Sequence, residues 1–270
     1  MQGCFSTMGC TDLDLTQVAD LAGSYNIPLL EIRSLEGSTV LPSLLAGKPG
    51  GWEAARQFLD ARGLATRVLG TGFKLVGNEE AHWQELLDFA ALADALGAPY
   101  LRIFGGGKWG TPLTDADMES GVATVRRWEA ERKARGLRSQ ILVETHDAFS
   151  ATPPCVKLLE MLGDESVCFI WDSHHTWRLA GETPVESWKA IGSHVRHVHI
   201  KDSVDTPSAR HPYTYVLPGT GQMPGPEVVS ILKAAGYSGG ISLEWEKMWH
   251  PYLVDLSEAL ASAQTNGWIP

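Results

Sequence analysis

Short apolar runs that end abruptly in a charged or imidazole side chain recur along this chain. Val167-Cys168-Phe169-Ile170-Trp171 gives way to Asp172-Ser173-His174-His175, and Ile141-Leu142-Val143 stops at Glu144. Val195-Arg196-His197-Val198-His199 and Ile241-Ser242-Leu243-Glu244 follow the same plan. Runs this short predict strands, and their apolar character suits strands buried on both faces, as in parallel sheets. The polar group then falls where each strand emerges into a loop. Longer segments with apolar residues at helical spacing separate the runs, as with Leu15, Val18, Ala19, Leu21 and Ala22.

Taken in order, the pattern predicts strands at residues 4–7, 27–32, 64–69, 100–104, 140–144, 167–171, 195–201 and 240–245. It predicts helices at 14–25, 52–61, 79–96, 115–135, from 152 onward, and at 183–191, 226–235 and 253–263. Arg62-Gly63 supplies a helix stop, and Thr152-Pro153-Pro154 supplies a start. Residues 202–224 form the longest loop, and loops this long in compact domains are usually functional or disordered. Eight strands alternating with eight helices, without a linker, predict one (β/α)8 TIM barrel domain over residues 1–270. A doubly wound sheet is the alternative, but chemical groups clustered at the last four strand ends favour closure.

Composition narrows the function. A 44% apolar content is ample for a large core, and 20% charged residues argues against disorder. The formal net charge of −10 opposes nucleic acid as a partner. The basic cluster Arg126, Arg127, Arg132, Lys133, Arg135 is interleaved with Glu129 and Glu131, which predicts a solvated helix face. No run reaches the roughly 18–20 apolar residues of a membrane span, so no membrane role is expected. The first residues lack a signal-peptide pattern, and a cytoplasmic location is the expectation. Cys4, Cys10, Cys155 and Cys168 show no CxxC pairing. Gly105-Gly106-Gly107 lacks P-loop spacing; it serves either a close ligand approach or a turn.

Glu144, Asp172, His199 and Glu244 are separated by 28, 27 and 45 residues, so each belongs to a different strand of the predicted barrel. A lone acid at a strand end is commonly a helix cap or ion-pair partner. Four such groups over one barrel mouth predict a site for one divalent cation, Mn²⁺, Mg²⁺, Co²⁺ or Zn²⁺, without thiolate ligands. His197 and His199 share a strand, and we expect only one of them to point into the barrel. Arg33, Arg102, Lys201 and Arg210 are candidate substrate or anion contacts, with Arg210 favoured by its place in the long loop. Trp109, Trp177, Trp245 and Trp249 are candidates for an aromatic wall.

At these residues the chain resembles the xylose-isomerase-like sugar (phosphate) isomerase/epimerase superfamily. The matching pieces are Glu31-Ile32-Arg33, Glu144-Thr145-His146, Asp172-Ser173-His174-His175, His199-Ile200-Lys201-Asp202, Pro218-Gly219-Thr220-Gly221 and Ser242-Leu243-Glu244. The resemblance implies a metal held by Glu144, Asp172, His199 and Glu244, with His175 contacting the substrate or supporting the ligands; His146, Lys201 and Arg210 are further candidate substrate contacts. It implies a small carbohydrate or polyol substrate and an enediolate formed by proton transfer. Glu144 and Glu244 would be the catalytic acid–base pair. An inosose-dehydratase-like lyase using the same site is the alternative, and a non-catalytic sugar-binding relative is a further one. The abasic-site endonuclease branch would require histidines at the ends of strands three and four; Val68-Leu69-Gly70 and Ile103-Phe104-Gly105 have none. Exposed barrel rims leave a homo-oligomer open.

Overall fold

The computed structural model describes residues 1–163 and 167–270. Its barrel strands are β1 (Gln2–Ser6), β2 (Leu29–Ile32), β3 (Ala65–Val76), β4 (Tyr100–Gly106), β5 (Gln140–Glu144), β6 (Cys168–Asp172), β7 (Val195–Ile200) and β10 (Gly240–Leu243). A separate antiparallel pair is formed by β8 (Asp202–Val204) and β9 (Thr214–Val216). All barrel pairings are parallel, and β10 pairs with β1 to close the ring. The expected (β/α)8 barrel is therefore present.

Strand side chains alternate between faces, and here the two faces have different jobs. Phe5, Leu30, Leu69, Leu101, Val143, Trp171, Val198 and Leu243 join one core cluster with helix residues such as Val18, Leu86, Val125 and Leu158. Each such fully buried side chain contributes about 1.5–3 kcal/mol. The other face holds only a small apolar cluster, Val68, Leu142, Cys168 and Ile170. Glu144 and Asp172 lie two residues beyond Leu142 and Ile170, so they stand on the same inward face, one layer nearer the strand ends. The outer layer carries the stability. The inner layer is free to carry charge.

Several elements depart from the sequence expectation. β3 continues to Val76 instead of stopping at residue 69. Thr71, Phe73 and Leu75 are buried while Gly72 and Lys74 are exposed, so the extension covers the core on one side only. Its pairing with β4 shifts between Gly70 and Lys74, and those glycines read locally as a break. Gly106 has φ +81°, and a Cβ there would lie 2.1 Å from the Val76 carbonyl oxygen. The glycine loop thus serves a close approach to β3. A helix, Leu41–Ala46, lies inside the expected loop after β2, and another, Ser173–Arg178, follows β6 directly. The final helix is Leu256–Thr265, and β10 ends at Leu243, just before Glu244.

The basic cluster behaves as expected: Arg127 pairs with Glu80, Arg132 with Glu129 and Arg135 with Glu131. None of the four cysteines forms a disulfide among the described residues. No helix among the described residues is long and apolar enough to cross a membrane.

Candidate metal centre and active site

Each of the four groups is delivered by a strand end. Glu144 terminates β5, Asp172 terminates β6, His199 lies near the end of β7, and Glu244 follows β10. All are buried, and one donor atom from each lies within 4.8 Å of the others. His199 Nδ1 is 3.1 Å from Glu144 Oε1, 3.4 Å from Glu244 Oε1 and 4.0 Å from Asp172 Oδ2. Asp172 also caps the following helix, its Oδ1 accepting from the His175 N–H at 2.9 Å. That hydrogen bond holds one oxygen and leaves Oδ2 directed at the cluster.

Electrostatics keeps Glu144 and Glu244 ionised. Burial and the Glu244 charge push Glu144 upward, but Arg102 and His199 outweigh them and bring it down to about 2. Burial likewise opposes the charge on Glu244, yet His199 and Lys201 hold it well below the carboxylate range. Burial pulls His199 toward its neutral form; Glu244, Glu31 and Glu144 prevail and raise it well above the usual imidazole range.

Lys201 packs against this ring, 1% exposed. Its ammonium lies 2.8 Å from Asp172 Oδ2 and 2.6 Å from Glu246 Oε1, and it also pairs with Glu244. Tyr215 donates to the same Glu246 oxygen at 2.8 Å. Lys201 therefore neutralises three carboxylates of this region and does not line the cavity.

Beneath the ring lies a second carboxylate. Glu31 Oε2 is 2.9 Å from His199 Nε2 and 3.0 Å from His197 Nε2, with all three side chains fully buried. Both histidines thus point into the barrel. The expectation that only one could do so is corrected here: residues two apart share a strand face. His199 presents Nδ1 to the ring and Nε2 to Glu31, an arrangement in which the lower carboxylate fixes tautomer and ring orientation.

Above the ring a cavity of about 300 Å³ opens at the barrel mouth. Glu144 and Glu244 form its floor, His146, His175 and Arg102 one part of its wall, and Arg210 and Trp249 another. His175 Nδ1 lies 3.0 Å from the Thr145 carbonyl oxygen. His146 contacts Asp147 at 2.9 Å. Arg210 lies over the Trp249 ring, 5.5 Å from its centroid. His174 is turned away, its Nε2 2.8 Å from Ser203 Oγ. Of the four tryptophans singled out, Trp249 lines this cavity. Trp245 is buried with its indole N–H donating to the Val254 carbonyl.

A family model described as xylose isomerase-like TIM barrel matches residues 36–266. The chain belongs to that family. No curated protein gives a significant sequence match. Among solved structures, this xylose isomerase-like barrel is similar to the probable 3-DHS dehydratase AsbF of Bacillus anthracis, with TM-score 0.81 and 17% identity over 98% of this chain and 99% of that one. It is also similar to the IolI protein with a bound zinc atom, with TM-score 0.78 and 18% identity over 99% and 96% of the two chains. A third is D-psicose 3-epimerase from Clostridium cellulolyticum H10, solved with D-tagatose, with TM-score 0.74 and 15% identity over 100% and 99%. At these identities the likeness establishes the fold alone.

Some residues of this xylose isomerase-like barrel's site were not singled out as site residues from sequence. Glu31 ends an apolar run, Leu29-Leu30, as Glu144 and Glu244 do, so the same signal was available one strand earlier. Glu246 follows Glu244 by two residues and shares its side of the chain. Tyr213, Tyr215, His211 and His250 come from two distant loops that meet only in three dimensions. His211 stacks on Tyr213 with ring centroids 4.8 Å apart, and His250 lies 5.2 Å from His211.

Proposed function

We propose that the chain is a divalent-metal-dependent isomerase or epimerase of a keto-sugar or related polyol ketone. The observation that carries this reading is the buried ring of Glu144, Asp172, His199 and Glu244, two members of which, Glu144 and Glu244, line an open cavity. The donor set fits a hard or borderline dication. Glu144 Oε2 is buried and makes no hydrogen bond, with Arg102 Nε facing it at 3.4 Å, so its lone pairs are open to a cation. When bound, a dication there supplies Lewis-acid polarisation of a substrate carbonyl and neutralises charge developing on its oxygen.

The chain's own residues then account for proton transfer. β5 and β10 are separated in the barrel by β6 and β7, so Glu144 and Glu244 approach the cavity from two sides. One carboxylate takes the proton from the carbon beside the carbonyl, leaving an enediolate. Its return to the neighbouring carbon by the same carboxylate gives isomerisation. Its replacement on the opposite face by the other gives epimerisation. Loss of a β-hydroxyl, leaving as water with a proton from a carboxylic acid, gives dehydration from the same intermediate. The fold likeness to AsbF keeps that lyase as the second reading.

The test is metal analysis of the purified chain beside Glu244→Gln after reloading with Mn²⁺ or Zn²⁺, followed by a solvent-deuterium assay on ketoses and inososes. One metal per chain, sharply weakened in the variant, with deuterium entering the carbon beside the carbonyl, is expected. A chain that takes up no metal refutes the proposal.

A further inference from the structure

The cavity wall holds a guanidinium with no ion-pair partner among the described residues. Arg33 follows β2 and faces the cavity. No carboxylate of the described residues lies within 4.0 Å of it, the reach of an ion pair. Among the described residues its guanidinium makes no hydrogen bond, while its backbone N–H donates to Thr7 Oγ1. The other two arginines of the cavity are engaged. Arg102 donates to the Thr71 carbonyl at 3.0 Å, covers the Phe104 ring and faces Glu144 at 3.4 Å. Arg210 rests on Trp249.

The fold makes room for Arg33. A Cβ at Gly70 would lie 2.6 Å from its Cδ and 3.3 Å from its Cβ, so the missing side chain on β3 is what lets the arginine stem pass toward the cavity. Burial first, and then the Arg102 charge, press the guanidinium down to about 10 against the upward pull of Glu85, Glu144 and Glu31, none of which is within ion-pair reach. Two adjacent cations, one of them unpaired, are unfavourable unless an anion joins them. A bidentate carboxylate or phosphate is the partner that guanidinium geometry suits.

We infer that Arg33, with Arg102 beside it, anchors an anionic group of the substrate, so that the substrate is a carboxylic acid or phosphate ester of a polyol ketone and not a neutral sugar. This rests on the metal-dependent reading above and narrows its substrate class. The two sources of the anion share the same recognition chemistry.

The experiment titrates inorganic phosphate and, separately, acetate into the Mn²⁺-loaded protein at low ionic strength by calorimetry. Wild type is compared with Arg33→Met, which keeps the stem over Gly70, and with Arg33→Lys, which keeps the charge. Metal content and thermal unfolding are measured on all three. One of the anions should bind wild type, bind Arg33→Met about tenfold or more weakly, and recover in part in Arg33→Lys, with metal content unchanged. The preferred anion identifies the substrate as phosphate ester or carboxylic acid. Failure of both anions to bind, or equal binding by wild type and Arg33→Met, overturns the inference and leaves the metal reading intact. Absence of metal from wild type overturns the metal reading, while an Arg33-dependent anion affinity would still stand.

Discussion

At the scale of single residues, His199 connects two buried carboxylate sets, one on each ring nitrogen. Glu31 touches none of the cavity, so its effect should be on the metal affinity through imidazole orientation. Carboxylates of this kind are worth about 10–100-fold in metal affinity. Glu31→Gln should therefore weaken Mn²⁺ binding by about that factor in a chelator competition while the chain stays folded; an unchanged affinity would remove Glu31 from the account. A pH dependence follows from the same imidazole. Without metal, its raised pKa leaves His199 protonated at neutral pH, and a metal must displace that proton from Nδ1. Affinity should thus rise with pH, by about tenfold per unit while the pH lies below the His199 pKa. Titrations at pH 6, 7 and 8 check this, and a flat profile would mean that His199 is neutral before metal binds.

At the scale of elements, the long segment between β7 and β10 is organised by one carboxylate. Asp202 Oδ1 accepts from the N–H groups of Ser203 at 2.8 Å and Met223 at 3.0 Å, and Oδ2 accepts from Gly219 at 2.9 Å and Gly221 at 2.8 Å. Gly221 must lack a side chain there, since a Cβ would stand 2.3 Å from Asp202 Oδ1. This explains why His199-Ile200-Lys201-Asp202 and Pro218-Gly219-Thr220-Gly221 occur together: the first motif's last residue folds the second. The segment carries Arg210, His211, Tyr213 and Tyr215 to the cavity and its floor. Asp202→Ala leaves several backbone donors without an acceptor and should cost roughly 2–4 kcal/mol in urea unfolding. Asp202→Asn, which keeps one oxygen as an acceptor, should fall between the two. Equal stability of all three proteins would show that the loop is held elsewhere.

At the scale of the whole molecule, a strong outer core supports a charged interior. Burial of Glu31, Glu144, Asp172, Glu244, Arg102 and Lys201 in one barrel is costly unless every charge is paired. A dication that binds only the folded barrel should add stability. At about a hundred times its dissociation constant the gain is about 2.7 kcal/mol. For a chain of this size that corresponds to about 5–10 °C in Tm. Thermal scans with Mn²⁺ and then with excess chelator should show that rise and its reversal, and Glu244→Gln should show neither.

By itself the sequence determined the barrel and the ring of four groups. Apolar runs ending in acids or histidines, repeated at β/α spacing, are local patterns set by strand period and burial. Glu144, Asp172, His199 and Glu244 are legible for that reason, each one named by its own strand. Only the tertiary structure decided which charges meet. That Lys201 pairs with Asp172, Glu244 and Glu246, that Glu31 reaches His199 across 168 residues of chain, and that Arg33 passes Gly70 unpaired all depend on contacts between strands distant in sequence. A side chain's partner is set by barrel closure and register, and no local period carries that information.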